Sequence, residues 1–133
     1  MKKNITLLLF FAIGTVVFLA SYRTNENSSH PFLSLLTQRS WKFEKAESPS
    51  NHAAAVVNTL YDGSQYNFTT SQTYQGEFFN HPIQGTWSLL NERDLVLNKG
   101  RVSEERMKIV ELSEDILKVT VMEKGASVTI TYR

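Results

Sequence analysis

Three histidines and a scatter of carboxylates are the residues of this chain best equipped for chemistry. His30 and His52 each stand at the start of a helical pattern, and His81 precedes Pro82 in a turn. A metal site needs such ligands at short, defined spacings, and no two of these histidines have one. They read as loop imidazoles. The chain has no Gly-x-Ser-x-Gly elbow, no P-loop and no His-Glu-x-x-His. It also has no cysteine, which removes disulfides, thiolate metal sites and a cysteine nucleophile together. A general acid needs a carboxyl whose pKa is raised inside a cleft. Glu104, Glu105, Glu111, Glu114 and Asp115 fall near turns or beside polar neighbours. Only Glu77 and Glu111 have a strand register that could turn them inward. No nucleophile–base pair emerges, so the residues point to a non-enzyme without a metal or cofactor.

The other candidates are aromatic. The chain carries eight Phe, five Tyr and two Trp. In an extended strand every second side chain shares a face. Tyr66 and Phe68 therefore share one, Tyr74, Gly76 and Phe78 another, and Trp87 and Leu89 a third. An apolar ligand cup would be lined this way, and a filled core would look the same. The ligand-binding candidates are thus Tyr66, Phe68, Tyr74, Gly76, Phe78 and Trp87, with Gly76 giving space. Gly76 and Gly85 also fit the bend or bulge that glycine marks within strands.

These residues are positioned by a run of short alternating strands. Tyr66-Asn67-Phe68, Gly85-Thr86-Trp87-Ser88-Leu89, Leu95-Val96-Leu97, Leu117 to Val121 and Val128 to Tyr132 all place apolar residues at period two. The predicted strands are 40–47, 64–69, 72–79, 83–90, 94–98, 105–112, 115–122 and 127–133. Breaks fall at Thr70-Ser71-Gln72, His81-Pro82, Asn91 to Asp94, Ser113 to Asp115 and Lys124-Gly125. Short connections make sequence neighbours pair antiparallel. Eight such strands suffice to close a small up-and-down barrel; a two-sheet sandwich is the alternative. A helix is expected from Pro31 to about Arg39, with Phe32, Leu35 and Leu36 on one face and Ser29 as its cap. A second helix is expected over Ala53, Val56, Val57, Leu60 and Tyr61, capped by Ser50 or Asn51 and stopped by Gly63. A strand over Val56–Tyr61 competes with it but does not suit three consecutive alanines.

Ahead of the domain, Lys2 and Lys3 precede an apolar run from Ile5 to Ala20, the pattern of a signal peptide over residues 1–21. Leu19-Ala20-Ser21 matches the start of a lipoprotein box, but Tyr22 stands where the acylated cysteine would be. The alternative is an uncleaved inner-membrane anchor over residues 5–22. Residues 22–29 are polar and aperiodic, a tether between the leader and a domain over 30–133. The expected location is periplasmic or extracellular. Basic and acidic residues alternate along the rest of the chain, so no nucleic-acid partner is expected.

The order of a helix, Ser40-Trp41-Lys42-Phe43, Tyr66-Asn67-Phe68, Thr73-Tyr74, Gly85-Thr86-Trp87-Ser88-Leu89, Leu95-Val96-Leu97-Asn98 and Ile109 to Leu117 resembles the lipocalin-like domains of small exported Bacteroidetes-type proteins. Arg39 stands where true lipocalins have the glycine of their first-strand Gly-x-Trp, and the Gly-x-Trp present, Gly85-Thr86-Trp87, lies on a middle strand. The resemblance implies a small up-and-down barrel. Two uses follow from the sequence as a whole: uptake of a small hydrophobic ligand inside the barrel, or a solid-core domain that binds another envelope protein.

Overall fold

The structure, a computed structural model, describes residues 31–133. The expected leader, its anchor alternative and the tether lie outside the described residues.

The first helix, α1 (Pro31–Thr37), buries Leu36 and packs Phe32 and Leu33 against the core. It stops two residues short of the expected Arg39, and the Thr37 hydroxyl bonds back to the Leu33 carbonyl at 2.8 Å. The chain then enters β1 (Ser40–Glu47). Trp41 is fully buried there, and its indole N–H donates to the Leu36 carbonyl at 2.9 Å. The second helix, α2 (Asn51–Tyr61), is capped by Ser50, whose hydroxyl accepts from the Ala53 amide at 3.3 Å. Past its end, Gly63 takes φ +75°, a conformation open to glycine at no steric cost. The helical reading of this segment holds, with Ala53 and Val57 on the buried face.

Seven strands follow: β2 (Gln65–Phe68), β3 (Thr73–Phe78), β4 (His81–Leu90), β5 (Asp94–Leu97), β6 (Glu105–Leu112), β7 (Leu117–Glu123) and β8 (Ala126–Tyr132). Each pairs antiparallel with the next, and β8 returns to β1 to close an eight-stranded up-and-down barrel. The sandwich alternative is not formed. Closure is sealed by a reciprocal backbone pair, in which Lys42 and Arg133 exchange N–H···O bonds of 2.8 Å.

Two strands serve as corners. β1 gives Ser40–Lys42 to β2 and its upper half to β8, while β4 gives His81–Thr86 to β3 and Trp87–Leu90 to β5. The cause is length: β2 and β5 have four residues each and cannot accompany the eight residues of β1 and ten of β4. Where β1 parts from β2, a helix residue takes the missing strand's place. The Asn58 amide accepts from the Ala46 N–H and donates to the Ala46 carbonyl, both at 2.9 Å. Backbone groups that lose their ladder must find such partners when they are buried.

His81-Pro82, expected to break the run, is instead part of β4 and pairs with Phe78 and Glu77. The turn falls on Phe79-Asn80, at φ +53° and +58°. Two residues of positive φ give the tight hairpin whose twist matches the strands on either side. Pro82 is tolerated because that half of β4 is paired on one side only.

Replacing Trp41 with Ala leaves a cavity in the core and leaves the Leu36 carbonyl without its indole. The expected loss is ~3–5 kcal/mol, read as a shifted midpoint in a single cooperative urea transition of residues 29–133.

Candidate functional site

The up-and-down order gives the barrel two unlike ends. At one end lie α1, the starts of β1, β3, β5 and β7, and the ends of β2, β4, β6 and β8. This end is closed. The Trp87 indole N–H donates to the Thr69 carbonyl at 3.0 Å. The Arg39 guanidinium lies 5.4 Å from the centre of the Trp41 ring and donates to the Glu114 carbonyl at 3.1 Å, tying the link between α1 and β1 to the β6–β7 turn. Above these groups the interior is filled by rings in contact. Tyr66 stacks on Phe68 at 5.9 Å, Phe68 meets Trp87 edge-on at 5.8 Å, and Tyr66 meets Tyr74 and Tyr132 edge-on at 5.9 Å each. Aromatic pairs favour such offset and edge-on geometries.

At the other end lie α2, the β3–β4 turn and the segment 98–104. Two clefts open here. The first, of about 490 Å³, lies at the β4 corner, between the half of β4 that has left β5 and the segment after β5; Tyr66, Tyr74, Phe78, Ile83, Asn98 and Glu105 line it. Asn98 holds its geometry. At φ +52° it turns its amide inward, donating to the Tyr74 hydroxyl at 2.9 Å and accepting from the Thr86 amide at 3.3 Å. That amide occupies the place a Cβ on Gly85 would need.

The second cleft, of about 610 Å³, is a slot in the barrel wall. The β6–β7 ladder ends at Lys108 opposite Thr120, although β6 begins at Glu105 and β7 runs on to Glu123. Beyond that point β6 stays with β5 and β7 stays with β8. Four consecutive residues of each strand, Glu105–Lys108 and Thr120–Glu123, face the slot, with Val57 and Tyr61 of α2 behind them.

The two clefts share Glu105. It alternates with the buried Met107 and Ile109, so its side chain belongs to the interior face. Solvent still reaches it through the openings, yet crowding by protein raises its carboxyl above the usual carboxylate range. Burial, then Glu105, then Glu123 push the Tyr61 phenol up to about 12. Tyr66 is raised well above the usual phenol range, by burial first and Glu105 second. Tyr132 is raised by burial first, then by Tyr66, Tyr61 and Glu105. Its hydroxyl is fully enclosed and has no hydrogen-bond partner among the described residues.

The structure therefore separates the six aromatic and glycine candidates. Tyr66, Tyr74 and Phe78 reach the β4-corner cleft. Phe68 and Trp87, 2 % and 3 % exposed, pack against one another in the filled half. Gly76 leaves no room: a Cβ there would collide with the Gln65 carbonyl of β2, so the glycine serves close strand approach. Sequence reasoning missed Tyr61, Glu105 and Glu123. The sequence places Glu105 at the start of the 105–112 strand, near a turn, but does not single out its face; it opens β6 on the face of Met107 and Ile109. The alternation Glu105-x-Met107-x-Ile109 is the signal that could have placed it. Neither Glu77 nor Glu111, the carboxylates whose strand register left an inward position open, lines either cleft. Among the described residues, no three His, Asp or Glu side chains converge as a metal site would require.

No family model matches the chain, and no curated protein is similar to it.

Two pH effects follow. A phenol whose folded pKa lies above its ordinary value stabilises fully below that ordinary value, and the contribution is lost as pH rises through the folded value. Tyr61 starts from 10.0 and reaches about 12, so stability is expected to fall across that window. Urea midpoints followed with the 295 nm absorbance of ionised tyrosine should show phenolate appearing together with unfolding.

For Glu105 the folded pKa is also raised. Its ionised form at neutral pH thus opposes folding, and its protonated form at low pH does not. Glu105→Gln is expected to raise the melting temperature at pH 7 and to leave it unchanged at pH 3. An equal effect at both values would mean that its carboxyl is not desolvated.

Proposed function

We propose that this chain is an exported, non-enzymatic domain of the lipocalin-like kind that binds a small hydrophobic ligand at the open end of its barrel. One observation carries the reading: the cleft of about 490 Å³ at the β4 corner leads from solvent to the rings of Tyr66, Tyr74 and Phe78. Small-molecule sites are concave, mostly apolar and of a few hundred Å³, with a few polar groups that fix orientation. The mouth fits that description, with Asn98, Glu105 and the tyrosine hydroxyls as the polar groups. The filled half makes the site shallow, so the guest lies near the rim.

A second reading, a domain that docks on another envelope protein, draws on a different observation. Leu60, Phe79 and Met122 are 36 %, 49 % and 68 % exposed, and all three belong to elements of the open end. Apolar side chains gathered on one surface mark interaction sites.

Calorimetric titration with fatty alcohols, fatty acids, retinol and a haem analogue separates the two. Ligand binding predicts a saturable one-to-one isotherm for at least one class, lost in Ile83→Trp, which fills the cleft from β4. If no class binds, the ligand reading fails and the docking reading stands.

A further inference from the structure

The polar groups of the β4-corner cleft are an unequal set. None of its lining residues is Lys, Arg or His, and its one charged side chain is Glu105. Burial alone, with no cation contributing, raises that carboxyl. An anionic head group would meet a like charge here and no counter-ion.

The cleft offers phenolic protons instead. Tyr66 lines it and is 5 % exposed, yet its hydroxyl has no hydrogen-bond partner among the described residues. A buried hydroxyl without a partner forfeits a hydrogen bond, and a ligand's polar atom in the cleft would restore it. Tyr74 supplies a second proton by a different route. A phenol has one O–H to donate and an oxygen that accepts. The Tyr74 oxygen already accepts from the Asn98 amide at 2.9 Å, and its own O–H donates to no described residue. Asn98 is itself held in place. Its amide nitrogen also reaches the Ser103 carbonyl at 3.4 Å, its amide oxygen accepts from the Thr86 N–H at 3.3 Å, and Gly85 leaves the room for it. The Tyr66 and Tyr74 rings meet edge-on with centres 5.9 Å apart, and Tyr66 lies within the electrostatic reach of Glu105. Two donors and one acceptor thus line one cleft.

We propose that the ligand of this cleft is an apolar molecule with an uncharged hydroxyl head, whose oxygen accepts from the Tyr66 and Tyr74 phenols while its O–H donates to Glu105, and whose apolar body lies on Phe78 and Ile83. The proposal rests on the small-ligand reading above and names the chemistry of its head group. A hydroxyl has two acceptor lone pairs and one proton, the count that the three side chains require. A carboxylate could take both phenolic protons but has none for Glu105, and it brings a second negative charge. An ammonium has three donors and no acceptor, so both phenols would stay unsatisfied.

The test is one chain with three heads: n-decanol, n-decanoate and n-decylamine, titrated by calorimetry at pH 7 into the protein, Tyr66→Phe and Glu105→Gln. Decanol should bind tightest, about tenfold or more tightly than decanoate, because like charges brought together in a binding site are costly. Tyr66→Phe removes a hydroxyl that has no described partner to lose. It should melt with the parent and bind decanol roughly fivefold more weakly, the worth of one neutral hydrogen bond. Glu105→Gln keeps an acceptor and removes the charge, so decanol should bind as before and decanoate should gain. Decanoate or decylamine binding the parent as tightly as decanol would overturn the uncharged head and leave the hydrophobic-ligand reading in place. Unchanged decanol binding in Tyr66→Phe would overturn the placement on the phenols, and unchanged decanoate binding in Glu105→Gln would overturn the part given to Glu105. Failure of all three probes to bind would overturn both readings.

Discussion

A closed sheet has no edge, and the rest of this structure depends on how eight short strands meet that demand. Two of them, β2 and β5, have only four residues, too few to follow their neighbours. Closure is reached by letting β1 and β4 change partners halfway along. Each change leaves backbone groups and interior space to be covered. At β1 the cover is α2, where Asn58 pairs with Ala46 as a strand would. At β4 the cover is incomplete, and a cleft remains.

The two ends of the barrel use their side chains in opposite ways. The closed end seats both indoles and is filled by aromatic rings. Both indole N–H groups reach carbonyls, and Phe68 packs edge-on against Trp87. The open end carries the raised Tyr61 phenol and the raised Glu105 carboxyl. The carboxyl lowers stability at neutral pH, because crowding by protein disfavours its charge. Perturbed titratable groups beside a cleft are a frequent mark of a functional site. The closed end, held by Trp41 and Trp87, offsets that cost.

The slot between β6 and β7 marks where the sheet loosens. Their ladder stops at Lys108 opposite Thr120, although both strands run on. Beyond that point β6 stays with β5 and β7 with β8, and Val57 and Tyr61 of α2 stand behind the gap.

Much of this was legible in the chain itself. Period-two alternation defined the strands, offsets of three and four defined α2, and Ser50 and Gly63 marked its ends, because these patterns depend on local geometry alone. The absence of cysteine and of catalytic spacings was equally plain. The aromatic faces of β2, β3 and β4 were identified, but whether they line a cup or fill a core was not, since both need the same alternation. Only the folded barrel decided that Phe68 and Trp87 close one end while Tyr66, Tyr74 and Phe78 reach the other. Gly76 carried a local signal that suited either a bend or a space, and the neighbouring Gln65 carbonyl shows instead that it lets β2 come close. Glu105 and Glu123 are 18 residues apart in the sequence and unremarkable there. They come to line one slot only when β6 and β7 fold side by side, because proximity through space is set by the fold alone.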